Sequence, residues 1–203
     1  MIAPRTLLLE PYSGISGDMF VGAAAPLAGC EDEVVALPAR LGLEGVTCRF
    51  GEVLRGGLHA RKFDVYGPGG AEDFRERAGS HAHGPHAGHP SHASLRDILQ
   101  RIASAGLDTP VAERARDMFV RLGHVEAEAH GIPLDQVHFH EVGAVDSLID
   151  IVGAALCIER LNISAAVSTP VCTGHGDVAT AHGRLPVPAP ATERLLQGMP
   201  TSP

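Results

Sequence analysis

Apolar and polar positions change period several times along the chain, and each change marks a predicted element. Thr6 to Glu10 is apolar at Leu7, Leu8 and Leu9 and stops at Pro11, which predicts a short, buried first strand. Ser13-Gly14-Ile15-Ser16-Gly17-Asp18-Met19-Phe20 comes next and leads into small residues up to Ala25. It predicts a strand-to-helix turn capped by Ser16, with Asp18 in the first helical turn. Asp32 to Leu41 has the spacing of a short helix in spite of Pro38, and Gly42 ends it. Val46 to Val53 and His59 to Tyr66 predict two strands, joined as a hairpin at Gly56-Gly57.

From Gly67 to Ser94 the pattern lapses, as Gly, Pro, Ala, Ser and His replace nearly every apolar side chain, so a flexible, disordered loop is expected. Periodicity returns with a helix over Leu95 to Ala105. A longer helix succeeds it, with Thr109 as cap, Pro110 in first place, a core stripe of Val111, Ala115, Met118, Leu122, Val125 and Ala129, and Gly131 with Pro133 as its stop. Glu126 on that helix is spaced to pair with His130. Val137 to His140 alternates like a strand. From about Val142 to Arg160 the spacing is helical through Val145, Leu148, Ile149, Val152, Leu156 and Ile158. Ile163 to Val171 is a further strand closed by Pro170. The next loop is stiffened into extended backbone by Pro186, Pro188 and Pro190, and a short helix runs from Ala191 to Gln197. Together these elements predict an α/β fold, a mixed sheet with flanking helices, forming one domain over 1–203 around the His-rich loop 67–94.

Composition narrows the class. With 203 residues and 44% apolar side chains the chain can bury a core, and its net charge of −8 argues against nucleic acid as partner. No apolar run has membrane-spanning length and the first residues lack a signal-peptide pattern, so no membrane association is expected and the protein is placed in the cytoplasm. Cys30, Cys48, Cys157 and Cys172 show no C-x-x-C pairing and are expected as thiols. Lys62 is the only lysine, which leaves Schiff-base and P-loop chemistry without another candidate.

The chemistry gathers between His138 and Asp150. On a strand, His138 and His140 leave the same face, and Glu141 stands at its end. On the succeeding helix Asp146 and Asp150 stand one turn apart, in line with the small residues Gly153 and Cys157, so that something can approach that face closely. Neutral imidazoles beside carboxylates suit nickel or zinc, or acid-base chemistry near neutral pH. His81, His83, His86, His89 and His92 of the low-complexity tract are expected to gather metal loosely, which suits delivery. The glycines and Ser16 before the first helix form an anion nest for a phosphate, or Asp18 there helps to hold a cation. The proline-rich loop near the end can hold His182 or Arg184 in place. Gly198 to Pro203 adds no closing element, and one half of a larger protein is expected.

Three segments together resemble one family: Ser13-Gly14-Ile15-Ser16-Gly17-Asp18-Met19, His138-Phe139-His140-Glu141-Val142-Gly143-Ala144-Val145-Asp146-Ser147, and His182-Gly183-Arg184-Leu185-Pro186-Val187-Pro188-Ala189-Pro190-Ala191-Thr192. They are similar to the nickel insertion proteins of the nickel-pincer nucleotide cofactor pathway, the LarC family. The resemblance implies a nickel chelatase, or cyclometallase, that places Ni2+ into pyridinium-3,5-bisthiocarboxylic acid mononucleotide through two nickel-sulfur bonds and one nickel-carbon bond. It implies dependence on CTP with Mn2+ or Mg2+, a separate C-terminal region for CTP, a recipient enzyme of the lactate racemase type, and a homo-oligomer. His138, His140 and Glu141 then handle metal, Asp146, Asp150 or His182 serves as base, and Ser13, Ser16, Gly17, Asp18 and Arg184 contact the nucleotide substrate. Two other readings compete: a non-enzymatic nickel chaperone or storage module, and a metal-dependent phosphohydrolase in which His138, His140, Asp146 and Asp18 converge on two metals about 3.5 to 4 Å apart.

Overall fold

A computed structural model of the chain describes residues 3–67, 93–139, 145–180 and 183–203. The expected disordered loop, with His81, His83, His86, His89 and His92, lies outside the described residues, as do His140, Glu141 and His182.

Strand β1 (Arg5–Leu9) leads through the glycine-rich turn into helix α1 (Gly17–Ala28). Gly29 ends that helix in the left-handed conformation, φ 64°, with its amide on the Pro26 carbonyl, a position where a side chain would be strained. The helix expected over Asp32 to Leu41 is broken in two at Ala36, into α2 (Glu31–Val35) and α3 (Leu37–Arg40), because Pro38 has no amide to continue the first ladder. β2 (Thr47–Arg55) and β3 (Leu58–Tyr66) form the expected antiparallel hairpin, with Gly56 and Gly57 both at positive φ. Phe50 pairs with Phe63 across it, ring centroids 4.9 Å apart.

Beyond the 68–92 segment, β4 (Ala93–Ser94) meets β5 (His138–Phe139). Ser94 and Asp97 close a reciprocal capping box at the start of α4 (Leu95–Ser104). Helix α5 (Thr109–His130) begins after Asp108, one residue earlier than expected, and stops at left-handed Gly131. Its buried face is Val111, Ala115, Phe119, Gly123 and Ala127, with Leu122 only half-buried and Ala129 exposed. The stripe expected through Met118, Leu122, Val125 and Ala129 is therefore rotated toward Phe119, since Gly123 and Ala127 let neighbouring elements come close. A Cβ on Gly123 would lie 2.9 Å from a Leu95 methyl. Glu126 and His130 pair as expected, at 3.5 Å.

After a 3-10 turn (Leu134–Gln136) and β5 comes α6 (Val145–Arg160), the most buried helix among the described residues. It packs on α1, α5 and α3. Val21, Leu37, Phe63, Val111, Phe119, Ile149, Val152 and Leu156 are the centre of one hydrophobic core. At its far end Arg160 holds Glu33 through two hydrogen bonds of 2.9 and 2.6 Å and reaches Asp108 at 2.8 Å, tying α6 to α2 and to the start of α5.

β6 (Ile163–Ser168) pairs in parallel with β1. Here the expectation of a buried first strand fails: Leu8 is 61% exposed, and of β1 only Leu7 and Leu9 are half-buried. Past Pro170, β7 (Val171–Cys172) pairs in parallel with β10 (Thr201–Ser202). The extended loop expected before Pro190 is instead a hairpin of β8 (Asp177–Thr180) and β9 (Gly183–Pro186), with α7 (Pro190–Leu195) after it. A cis peptide bond joins Val187 to Pro188. Among the described residues the strands thus form five two-stranded pairings, parallel and antiparallel, flanked by helices, a mixed α/β fold. No helix of the described residues is long and apolar enough to cross a membrane.

Candidate functional site

The start of α1 and the middle of α6 meet with no room between them. A Cβ built on Gly17 would lie 2.5 Å from the Asp150 Cβ and 2.8 Å from its Oδ2, so only glycine fits there. One turn further along the same contact, a Cβ on Gly153 would come 3.2 Å from a Val21 methyl. At the next turn Cys157 Sγ stands 3.9 Å from Cys30 Sγ. The small-residue face of Asp150, Gly153 and Cys157 does admit a close neighbour, as its sequence predicts, and that neighbour is α1 together with Cys30 just beyond its end.

Electrostatics at this junction depend on which charges share it. Ser16 occupies the N-cap with extended backbone, but its hydroxyl donates to Asp18 Oδ1 in place of accepting from the first-turn amides. Asp18, next to Gly17 in the first turn of α1, is half-buried, and Asp150, across the contact from Gly17, is 9% exposed. A helix N-terminus presents about half a positive charge. Asp18, hydrogen-bonded by Ser16 in that first turn, sets a negative charge against it, so this terminus is a poorer seat for a phosphate than one without the carboxylate. Asp146 stands one turn before Asp150, half-buried, with Oδ1 accepting from the Ser147 amide at 2.8 Å.

Cys48 is a member of this neighbourhood that the sequence did not point to. Burial, and then the negative charge of Asp150, push its thiol up to about 12, so it sits there as a protonated thiol. The sequence signal was its place at an inward position of β2, opposite Val65, rather than any spacing to another cysteine. In the Cys30–Cys157 pair, the hydrogen bond between the sulfurs lowers Cys30 and raises Cys157.

His138 is exposed, with Nδ1 2.9 Å from the Gln136 carbonyl oxygen, while Phe139 is buried edge-on against Phe119 at 6.2 Å between centroids. The alternation expected of this strand holds for those two residues. Their partners are Ser94 and Ala93, so the stretch that ends at residue 92 rejoins the described fold beside His138.

The third motif is linked to the first through the loop between β7 and β8. Gly14 lies 3.6 Å, measured from an added Cβ, from the Cys172 carbonyl oxygen. A Cβ on Gly174 would lie 3.4 Å from a Val187 methyl, and the Val187 amide donates to the Gly176 carbonyl at 2.9 Å. Arg184 is exposed and paired with Asp177 across the hairpin. Ser13 is exposed on the turn. Among the described residues no three His, Cys, Asp or Glu side chains converge on a metal position.

Three comparisons bear on this arrangement. Residues 7–203 match the model of a family described as nickel insertion protein. A protein of Geobacillus kaustophilus named pyridinium-3,5-bisthiocarboxylic acid mononucleotide nickel insertion protein is 40% identical over 97% of this chain and 46% of its own length. One of the same name from Alkaliphilus metalliredigens is 40% identical over 94% of this chain and 45% of its own. A putative nickel insertion protein of Geotalea uraniireducens is 38% identical over 97% and 46%. The chain thus spans about half the length of the curated relatives it matches. No solved structure matches it.

Proposed function

Since the chain belongs to the nickel insertion protein family, we propose that it acts in placing nickel into pyridinium-3,5-bisthiocarboxylic acid mononucleotide, as the part of the protein that holds and delivers the metal and removes the proton. The observation that carries this reading is the contact of Gly17 with Asp150, which brings the Ser13–Met19 motif against the helix that extends the His138–Ser147 motif. The phosphohydrolase reading needs His138, His140, Asp146 and Asp18 to converge, and among the described residues no three such side chains do so.

Nickel is the cargo here, and the donors assigned to it are His138, His140 and Glu141, with His81, His83, His86, His89 and His92 collecting it. Imidazoles and a carboxylate suit a borderline ion that must leave again for two sulfur donors. Forming the nickel-carbon bond releases the proton of the pyridinium carbon, and a nearby carboxylate accepts it. Asp150 is our first candidate, with Asp146 and His182 as alternatives. Asp150 stands at the contact of α6 with the Ser13–Met19 motif, and Asp146, half-buried, stands one turn nearer the His138–Ser147 motif. Ser13 and Arg184 stand open to the nucleotide, being exposed.

CTP with Mn2+ or Mg2+, the recipient racemase-type enzyme and assembly of identical chains belong to the same proposal. Among the described residues no three His, Cys, Asp or Glu side chains converge, and a divalent ion on CTP needs only one or two carboxylates beside the phosphates. We assign the CTP-metal site to the additional length of the relatives and derive no step from it.

The test supplies the chain, with the additional region of a relative, with Ni2+, CTP, Mn2+ and the bisthiocarboxylate mononucleotide, and monitors nickel incorporation by product mass. Asp150→Asn should lower turnover by about 100-fold or more, the usual contribution of a general base, while nickel binding stays. Turnover equal to wild type in Asp150→Asn removes Asp150 as base. Nickel binding with no product in the wild type leaves the carrier reading.

A further inference from the structure

The parallel pair β1–β6 has one face that nothing among the described residues covers. In its register Thr6 stands beside Ala165 and Leu8 beside Val167, so these four side chains share one face. Leu8 is 61% and Val167 56% exposed, and Thr6 and Ala165 are exposed too. On the opposite face Leu7 and Leu9 are half-buried, while their partners Ala166 and Ser168 are exposed. Parallel sheets occur almost only with both faces covered, and two strands alone are marginal in water. An uncharged face on a parallel pair is the pattern of a sheet whose remaining layer lies elsewhere.

We propose that this face is the docking surface for the additional region carried by the full-length members of the family, which lays an apolar surface over Leu8 and Val167. Two observations favour that occupant over a second copy of this chain. The curated relatives align with nearly all of this chain over less than half of their own length, 46% in the Geobacillus protein, so they possess a segment of about equal size to supply the layer. β10 is already hydrogen-bonded in parallel alongside β7, directly beyond β6, with the Val171 amide donating to Pro200 and the Thr173 amide to Ser202. The Thr169 amide donates to the Leu9 carbonyl and the Cys172 amide to the Pro11 carbonyl, so β7, the partner of Thr201–Ser202, follows on from the end of the β1–β6 pair. The inference rests on family membership and on packing, and it does not depend on which residue removes the proton.

The experiment joins the additional region of the Geobacillus kaustophilus relative to this chain after Pro203 and compares backbone hydrogen exchange in the joined protein and in the 203-residue chain. Amides of residues 5–9 and 163–168 should exchange about tenfold or more slowly in the joined protein, while those of α6 stay unchanged as the internal reference. Leu8→Lys with Val167→Lys should abolish that added protection. The milder pair Leu8→Ala with Val167→Ala should weaken it if the lysines disturb the strand. Equal exchange in both proteins overturns the proposal. Protection that rises with concentration in the 203-residue chain alone overturns it in favour of a second copy.

Discussion

Gly17 of α1 and Asp150 of α6 touch so closely that the glycine has no space for a methyl group: its Cβ would fall 2.5 Å from that of Asp150. An ordinary carbon contact needs about 3.5 to 4.0 Å. The small residue thus sets how deeply the Ser13–Met19 turn sits against the acidic helix.

Gly17→Ala should accordingly destabilise the protein, against helix propensity, which favours alanine by about 1 kcal/mol. Overpacking costs about 1 to 3 kcal/mol, so a net loss in melting temperature is expected, with reduced nickel insertion. Gly51→Ala, where nothing lies within 4 Å of the added methyl, is the control and should melt near wild type. Equal melting of the two variants would show that α1 can shift without cost.

Phe119 is fully buried and meets Phe139, the neighbour of His138, edge-on at 6.2 Å. Phe119→Ala should cost about 3 to 5 kcal/mol in chemical denaturation. It should also weaken nickel binding, because Phe139 loses the wall that fixes the strand on which His138 stands. A stability loss with unaltered nickel affinity would separate the metal donors from this strand.

Arg160 holds the Glu33 carboxyl below the ordinary carboxylate range. A depressed carboxyl contributes stability above its unfolded pKa of about 4.3, and the contribution is lost as pH falls through the lower, folded value. Arg160→Ala should therefore lose stability at pH 7, about 1 kcal/mol given the partial exposure of both partners, and the gap to wild type should narrow toward pH 3. Urea midpoints at the two pH values measure it; a gap that widens in acid contradicts the assignment.

The Cys48 thiol, raised to about 12 by burial and by Asp150, works in the opposite pH range. A raised pKa gives stability that is full below the unfolded value of about 8.5 and declines as pH rises toward the folded one. Melting temperature should fall between pH 8 and pH 10.5, and fall less in Cys48→Ala. Alkylation of the native protein at pH 8 should leave Cys48 unmodified, with unfolding exposing it; fast native labelling would place the thiol in contact with solvent.

The pattern of the chain determined those features that local chemistry settles. The Gly56-Gly57 hairpin, the Ser94 to Asp97 cap, the stop at Gly131 and the pairing of Glu126 with His130 each depend on residues a few positions apart. The three motifs were legible for the same reason, as short runs of unusual composition. The alignment of small residues Gly153 and Cys157 with Asp150 also announced a close approach.

The tertiary structure decided which element made that approach. Only packing over 133 positions of sequence could bring Gly17 onto Asp150, and no periodicity carries that information. The rotated face of α5 has the same origin: Met118 and Val125 are as apolar as Phe119, and the choice between them falls to the neighbours, Leu95 and Phe139, which fill the space above Gly123 and Phe119. β1 makes the point from the other direction, since three successive leucines form a strand whether its cover comes from this chain or from another stretch of polypeptide. Its hydrophobicity fixed the strand, and the fold around it left Leu8 and Val167 facing outward, because a buried face requires a partner as well as an apolar side chain.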